Sequence, residues 1–351
     1  MACPTHILVT GATGFIGAHV VDTLLSRGFR VRGTTRSKAK GEAMLAARPR
    51  ATQASRLDCV VIDDFLGPEL DLSSALKGGI DAIVHVASPF TYDTQNNEAE
   101  LILPAINGVK AVLSAAAEAQ TVKRVVITSS FAAVLDVERA RKASQYFTYT
   151  ADDWNSLTYD AAADPKTSAV VAYRGSKKFA ELAAWEFVNN FECRGGGLSF
   201  DLVTLCPPMT FGPVVHPVVG GPLGLNDSNS QLWKVAIASQ QGNELPVARV
   251  PFWVDVRDLA QAHVEALLRP EAGGKRYLVA SQERFTYEMA AEIIEHEFPN
   301  FVRPEGAPVV ERQVVDESHG IDGETAAREL GISYRAFRET VVDLMRQVGA
   351  M

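Results

Sequence analysis

A glycine-rich turn near the start of the chain constrains the fold more than any other sequence feature. The segment Thr10-Gly11-Ala12-Thr13-Gly14-Phe15-Ile16-Gly17 follows a short apolar strand candidate, Ile7–Thr10, and opens a helix candidate, Ile16–Ser26. Glycines permit a tight turn, an approach of backbone N–H groups to phosphate oxygens, and close packing of the helix against a sheet. The glycine spacing is three and three rather than two and three, but its place after the first strand predicts a dinucleotide pyrophosphate site.

The first half of the chain alternates short apolar runs with segments in which apolar residues have helical spacing. This order is typical of βαβ units and predicts an α/β fold with a Rossmann-type, doubly wound parallel sheet. The strand candidates are Ile7–Thr10, Arg30–Gly33, Leu57–Val61, Ala82–Val86, Arg124–Thr128 and Ser199–Leu205, and the helix candidates are Ile16–Ser26, Glu98–Ala119 and Val170–Phe191.

The regular alternation stops after Cys206. Prolines and glycines are frequent between 207 and 224, which predicts a long irregular segment of the kind that often carries function. Residues 1–206 are expected to form the nucleotide-binding domain, with 250–265 returning to it, and residues 207–249 and 266–351 a smaller C-terminal substrate lobe. Within that lobe we predict a strand Arg276–Ala280, a helix Tyr287–Phe298 capped by Thr286, and a helix Tyr334–Val348 capped by Ser333.

Composition excludes several classes of protein. The 351 residues carry a net charge of −8, which gives no positive field for nucleic acid, and hydrophobic and charged fractions of 47% and 22% are those of an ordinary folded protein. The four cysteines form no C-x-x-C pair or metal-like cluster, and no apolar run approaches the roughly 18 residues of a membrane span. We therefore expect a cytoplasmic protein with no metal, nucleic-acid or membrane partner.

The end of the second strand indicates which dinucleotide is bound. An acidic residue there would bind the ribose hydroxyls of NAD, whereas a cation accommodates the 2′-phosphate of NADP. The stretch from Gly33 to Lys40 contains no carboxylate but offers Arg36 and Lys40. The sequence therefore predicts NADPH. Further cofactor contacts are expected from Ala87, Thr128 and Pro207, at or just beyond strand ends.

A tyrosine and a lysine four residues apart suggest acid–base chemistry. Tyr173 and Lys177 fall on one face of a predicted helix, so that the ammonium can stabilise a phenolate while the phenol acts as a general acid. This spacing also arises by chance, and the strand Arg124–Thr128, which ends in Ser129 and Ser130, supplies the supporting context. One of these two hydroxyls can hydrogen-bond a substrate carbonyl on the side of the sheet that carries the glycine loop.

Taken together, these motifs resemble the extended short-chain dehydrogenase/reductase family. They are the T-G-x-x-G-x-x-G loop, the strand-end serine and the Y-x-x-x-K helix, together with the stretches 85–90, 128–134, 172–181 and 254–258. Within that family the chain is similar to the dihydroflavonol-reductase-like branch, particularly the fungal methylglyoxal, isovaleraldehyde and α-diketone reductases. The resemblance implies that Ser130 is the catalytic serine, that Tyr173 is the proton donor, and that Lys177 binds the nicotinamide ribose. It also implies that Asp63 or Asp64 meets the adenine.

The same resemblance suggests an apolar substrate pocket. Its predicted lining is Phe90, Phe131, Leu135, Val170, Met209 and Trp233. The leading prediction is an NADPH-dependent carbonyl reductase that converts an aldehyde or ketone to an alcohol, as a monomer or homodimer. A variant is a ketone reductase of a secondary-metabolite (polyketide) pathway. The alternatives are a nucleotide-sugar epimerase or dehydratase, which uses the same Ser/Tyr/Lys set, and a sensor that binds NADPH without turnover.

Overall fold

The structure is a computed structural model and describes residues 4–62, 70–88, 93–142, 144–193, 197–304 and 313–349. The strands in these ranges are β1 His6–Thr10, β2 Arg30–Thr35, β3 Leu57–Val61, β4 Ala82–His85, β5 Arg124–Thr128, β6 Phe147–Tyr149, β7 Asp201–Cys206, β8 Met209–Phe211, β9 Trp253–Asp255, β10 Arg276–Leu278 and β11 His319–Ile321. The α-helices are α1 Phe15–Ser26, α2 Lys38–Ala46, α3 Pro49–Gln53, α4 Ser73–Leu76, α5 Leu103–Ala119, α6 Val137–Lys142, α7 Tyr159–Ala163, α8 Ala169–Cys193, α9 Asp227–Gln241, α10 Val256–Leu268, α11 Tyr287–Glu297, α12 Glu324–Leu330 and α13 Phe337–Val348.

A seven-stranded parallel sheet in the order β10-β7-β5-β4-β1-β2-β3 forms the centre of the described structure. The chain runs outward from β1 to β3 on one side and from β4 to β10 on the other, so the topology switches between β1 and β4. Ligands of such sheets bind in the crevice beyond the carboxyl ends of the strands at this switch. The predicted Rossmann-type sheet is confirmed, and the six strand candidates all form with small shifts at their ends.

Helices cover both faces of the sheet because parallel strands are apolar on both sides. One apolar cluster joins β1 and β4 to α1, α10 and α12, and a second joins the opposite face to α5 and α8. The segment Glu98–Ala119, whose first residues form a π-helix, is long and apolar enough by length and composition to cross a membrane. Its apolar side contributes Val109, Val112 and Leu113 to the second cluster, so this character serves packing against the sheet.

A third apolar cluster lies over the start of α1. It is built mainly from α9, α11 and α13, with Phe211, Trp253, Phe285 and Phe337 at its centre, and it also contains Phe15 of α1. Two small parallel sheets, β8-β9 and β6-β11, connect these parts of the chain. Residues from the second half of the chain therefore pack next to the carboxyl ends of the main strands.

Two expectations about the second half are wrong. The strand β10 pairs with β7 as an edge of the main sheet, so not all of 266–351 belongs to a separate lobe. The last helix begins at Phe337 rather than Tyr334, and its first N–H is capped by the carboxylate of Glu283 at 2.8 Å rather than by Ser333. Both depend on contacts between distant segments. The helix α11 does carry the predicted Thr286 cap, whose hydroxyl accepts from Met289 N.

Candidate active site

The glycine loop joins β1 to α1 in a turn that larger residues would not allow. Gly11 has a φ of +67°, and a Cβ at Gly17 would lie 2.2 Å from the carbonyl oxygen of Gly11. Gly14 N donates to Gly11 O at 3.0 Å and α1 begins at the next residue. The first N–H groups of a helix have no partner within it, and here the first turn contains no acidic side chain. This cradle fits an anionic group such as a pyrophosphate.

Thr10 fixes the end of β1 against the end of β4. Its hydroxyl oxygen accepts from Val86 N and Ala87 N, each at 3.1 Å, and its hydrogen is directed to His85 Nδ1 at 2.8 Å. Burial, with a smaller contribution from the charge of Lys177, lowers the pKa of His85 to about 4. His85 is therefore neutral at physiological pH and accepts the hydrogen bond from Thr10. Thr10, which was predicted to contact the cofactor, thus joins the ends of β1 and β4 where the sheet topology switches.

Tyr173 and Lys177 lie on the same face of α8, as their spacing predicted. The Lys177 Nζ is 5.4 Å from the centre of the Tyr173 ring and donates to the Ser88 hydroxyl at 2.6 Å. Burial lowers the pKa of Lys177 to about 8, so the ammonium still carries its charge at pH 7. Ser88 follows β4 directly, and this hydrogen bond connects α8 to the edge of the sheet that holds the glycine loop.

The structure distinguishes the two serines that follow β5. Ser129 is buried and donates its hydroxyl to Glu181 Oε2 at 2.6 Å. Ser130 is only half-buried, lines the same cleft as Tyr173, and accepts a hydrogen bond from Ala132 N at 3.1 Å. Since the Ser130 hydroxyl proton is not required for that contact, it is available to a ligand, whereas the Ser129 proton is committed to a carboxylate.

Glu181 is a site residue that the sequence analysis did not single out. Its carboxylate accepts from Ser129, from Thr204 Oγ1 at 2.6 Å and from Arg276 Nε at 2.8 Å, and its side chain is 1% exposed. These partners come from the end of β5, from β7 and from β10. The spacing of four residues after Lys177 was a usable signal, because it places Glu181 on the helix face that carries Tyr173 and Lys177.

A second buried residue, Asn155, connects the serine segment to the tyrosine helix. Its side-chain amide donates to Ala132 O at 2.8 Å and to Arg174 O at 3.2 Å. Asn155 lies in the extended stretch between serine and tyrosine, where no local pattern indicated a function. Its role, to connect the segment after Ser130 to α8, follows only from the tertiary structure, which brings these two segments together.

One cleft of about 1220 Å³ collects most of the predicted site residues. It runs from Arg36 and Lys40, just beyond β2, past the glycine loop after β1 to Ser130, Tyr173 and Lys177 on the side of β5. Arg36 and Lys40 are exposed cations at its rim, as a 2′-phosphate site requires. The predicted cofactor contacts that line the cleft include Gly11, Thr13, Gly14, Phe15, Ile16, Gly17, Ala87, Thr128 and Pro207. The cradle, the cations and the length of the cleft fit NADPH.

The substrate end of the cleft is mainly apolar. Phe131, Leu135, Val170 and Met209 line it, and Phe131 is held between the rings of Tyr149 and Phe252 at 5.4 and 5.5 Å.

Trp233 does not line the cleft, which corrects the prediction, because it packs edge-on against Phe301 and borders a separate small depression. Phe90, Asp63 and Asp64 lie outside the described residues.

Comparison with known proteins agrees with this geometry. The sequence profile of the NAD dependent epimerase/dehydratase family matches residues 7–156. The chain is 32% identical to the NADPH-dependent methylglyoxal reductase of Saccharomyces cerevisiae, with 97% of each covered, and 32% identical to a ketoreductase of Aspergillus niger, with 96% of this chain and 95% of the relative covered. The crystal structure of yeast methylglyoxal/isovaleraldehyde reductase complexed with NADPH has a TM-score of 0.85 at 32% identity, and 98% of each chain is covered.

The chain belongs to the NAD dependent epimerase/dehydratase family, in its extended short-chain dehydrogenase/reductase group. Its full-length similarity is to NADPH-dependent reductases of carbonyl compounds, which confirms the predicted NADPH-dependent carbonyl reductase and its cofactor. The functions of individual residues stay predictions.

We expect Glu181→Gln to destabilise the fold, because the change leaves the buried guanidinium of Arg276 without its counter-charge. Loss of one partner of a buried ion pair costs about 3 kcal/mol. Urea unfolding followed by far-UV circular dichroism measures this difference. Glu186→Gln, on the exposed side of the same helix, is the matched control and should change stability little. Equal unfolding free energies of both variants would show that the negative charge of Glu181 contributes nothing to stability.

Proposed function

We propose that the chain reduces ketones and aldehydes with an apolar arm, with Tyr173 as proton donor and Ser130 and Lys177 as its partners. The observation that carries this proposal is that the three side chains border the same cleft as the glycine loop. The lysine and the half-buried serine come from different layers of the fold. Packing alone does not explain why a buried ammonium and a hydroxyl with an uncommitted proton converge on one cleft, whereas acid–base chemistry does.

The mechanism follows from the protonation states that the site maintains. When bound, NADPH would supply the hydride. The Ser130 hydroxyl would hydrogen-bond the substrate carbonyl oxygen, and the Tyr173 hydroxyl would donate the proton to the oxygen as negative charge develops there. The charged Lys177 lies close enough to stabilise the resulting phenolate by about 3 kcal/mol at an effective dielectric constant of roughly 20. Ser88 orients the ammonium by accepting its hydrogen bond.

The apolar lining of the substrate end supports a substrate that buries a hydrocarbon or aryl group. Val170 is 45% exposed at the mouth, whereas Phe131 and Leu135 are buried deeper. A nucleotide sugar would need polar and basic contacts for its diphosphate and hydroxyls at this end. We therefore favour an α-diketone, an aryl ketone or a polyketide-like ketone over the sugar alternative, and the presence of Tyr173 and Lys177 favours an enzyme over a sensor.

We also propose that the enzyme works in the cytoplasm as a monomer or a homodimer. The described cysteines Cys59 and Cys206 are both free thiols, which suits a reducing compartment, and burial raises the pKa of Cys59 to about 11. Light scattering of the full chain in solution tests the oligomeric state.

Replacement of Tyr173 by Phe tests the proposed function. We expect kcat to fall about 100-fold or more, the usual contribution of a general acid, with NADPH still bound. NADPH oxidation at 340 nm is measured against methylglyoxal, a 1,2-diketone, an aryl ketone and a bulky polyketide-like ketone. Tyr146→Phe changes a 64% exposed tyrosine and is the matched control. Unchanged turnover in Tyr173→Phe would remove Tyr173 as proton donor.

The two serines should separate activity from stability. We expect Ser130→Ala to lower kcat/KM about 100-fold, as loss of one oriented hydroxyl donor does, with little change in unfolding free energy. Ser129→Ala should instead cost about 2 kcal/mol of stability, because a buried carboxylate loses a donor, and should leave kcat/KM nearly unchanged. The reverse pattern in kinetics and urea unfolding would contradict the assignment of Ser130 to the substrate.

Removal of a rim cation should reduce the preference for NADPH. We expect Arg36→Gln to weaken NADPH binding about tenfold and to leave NADH binding unchanged, because only NADPH carries the 2′-phosphate. Dissociation constants come from the fluorescence of the reduced nicotinamide. Lys38→Gln is the control, since Lys38 is exposed nearby on α2 but is absent from the cleft lining. An equal loss for both nucleotides would place Arg36 elsewhere on the cofactor.

A further inference from the structure

A segment from the second half of the chain lines the cleft and contains a histidine with no assigned function. His19 of α1 donates to Pro213 O at 2.7 Å, and the Gln347 amide of α13 pairs with both backbone groups of Val214 at 2.7 and 2.6 Å. The segment is thus attached to helices on both sides just before His216. His216 itself lines the cleft that contains the glycine loop.

The imidazole of His216 has an unsatisfied polar atom. Its Nδ1 is buried and has no hydrogen-bond partner among the described residues. Burying a nitrogen without a partner costs free energy, so such atoms in folded proteins call for an explanation, and a missing ligand is a common one. The ring lies edge-on to Phe15, the first residue of α1, with the ring centres 6.5 Å apart. The ring therefore borders the part of the cleft where the cofactor phosphates are expected, while the buried Nδ1 reaches a ligand there only if the ring turns.

The charges around His216 indicate an anionic ligand. Burial lowers the pKa of His216, and His19 of α1, Lys40 of α2 and Arg48 before α3 add to the effect. Arg48 is compensated by Asp22, to which its guanidinium donates at 2.9 Å, but Lys40 remains at the rim of the cleft. A histidine placed beside cations without a ligand gains stability when an anion arrives between them.

We propose that the His216 ring turns when NADPH binds, so that its Nδ1–H donates to a phosphate group of the cofactor, and that this contact closes the 213–226 segment over the bound dinucleotide. This inference deepens the proposed function and rests on it only in assuming that NADPH occupies the cleft. The ligand chemistry is a phosphate, and it can be the pyrophosphate at the start of α1 or the 2′-phosphate beside Lys40.

The proposal makes cofactor affinity depend on pH in a defined direction. In the free enzyme the pKa of His216 is lowered, and a bound phosphate favours the protonated ring, which raises that pKa on binding. A group whose pKa rises on binding takes up a proton, so affinity increases as pH falls from 8 to 6. The 2′-phosphate of NADPH also titrates near pH 6. Only the difference in pH dependence of affinity between wild type and variants therefore measures the contribution of His216.

The experiment measures dissociation constants of NADPH and NADH at pH 6 and pH 8 by isothermal titration calorimetry on the full chain. The variants are His216→Asn, which keeps an N–H donor but cannot be charged, and His216→Lys, which is charged at both pH values. His296→Asn on α11 is the control, because His296 is an exposed histidine away from the cleft. Thermal unfolding of each variant without nucleotide shows whether the fold is retained.

We expect His216→Asn to bind NADPH about fivefold more weakly than wild type at pH 6 and to show a smaller difference at pH 8. The affinity of His216→Lys relative to wild type should be higher at pH 8 than at pH 6, because the lysine keeps its charge where the histidine loses it, and His296→Asn should match wild type at both pH values. An equal loss for NADH assigns the contact to the pyrophosphate, and a loss confined to NADPH assigns it to the 2′-phosphate. Wild-type affinity and pH dependence in both folded His216 variants would overturn the proposal. Failure of wild type to bind NADPH at all would instead overturn the proposed function.

Discussion

The buried carboxylate of Glu181 is the interaction on which the geometry of the site depends. It lies where α8 crosses the end of β5, the middle of β7 and the first residue of β10, and it accepts hydrogen bonds from Ser129, Thr204 and Arg276. A charge in such surroundings is tolerated only when its lone pairs are satisfied, so the helix and the three strands must keep their relative positions. Lys177 and Tyr173 lie about one and two turns before it on the same helix. The network therefore sets where the proposed proton donor stands relative to the sheet.

This arrangement also explains how two adjacent serines acquire different tasks. The side chains of successive residues in extended backbone point to opposite sides. Ser129 points to Glu181 and donates its hydroxyl proton to that carboxylate. Ser130 is turned toward the cleft, where its backbone neighbours form a short 3-10 turn that Asn155 fastens to α8. The Ser129 hydroxyl is thus committed to the Glu181 network, and the Ser130 hydroxyl proton stays available for the proposed contact with substrate. The segment that follows β7 adds Pro207, Met209 and His216 to the cleft that Phe131 and Leu135 line, so both halves of the chain shape it.

Local patterns predicted the fold and the elements that carry the site, but not the contacts between them. The glycine loop, the six strands and the Tyr173–Lys177 pair depend on short-range periodicity and turn geometry, and they were predictable for that reason. Trp233 was wrongly placed because an aromatic residue near a site packs equally well into a core. The strand β10 was assigned to the substrate lobe instead of the main sheet because its pairing with β7 joins residues about 70 positions apart, which local patterns do not indicate. The cap of α13 was missed because Glu283 reaches it from a distant segment.

The sequence by itself determined a parallel sheet with a phosphate-binding turn, a preference for NADPH from the cations after β2, and the family with its reductase chemistry. These follow from residues that act over a few positions, where backbone sterics and helix periodicity leave little choice. Only the tertiary structure decided that Ser129 is committed to Glu181 while the Ser130 hydroxyl proton stays available, that Asn155 connects the turn after Ser130 to α8, and that His216 comes to lie beside the start of α1. Each of those outcomes requires segments far apart in sequence to compete for the same hydrogen-bond partner or the same space, and that competition is resolved only when the chain is packed.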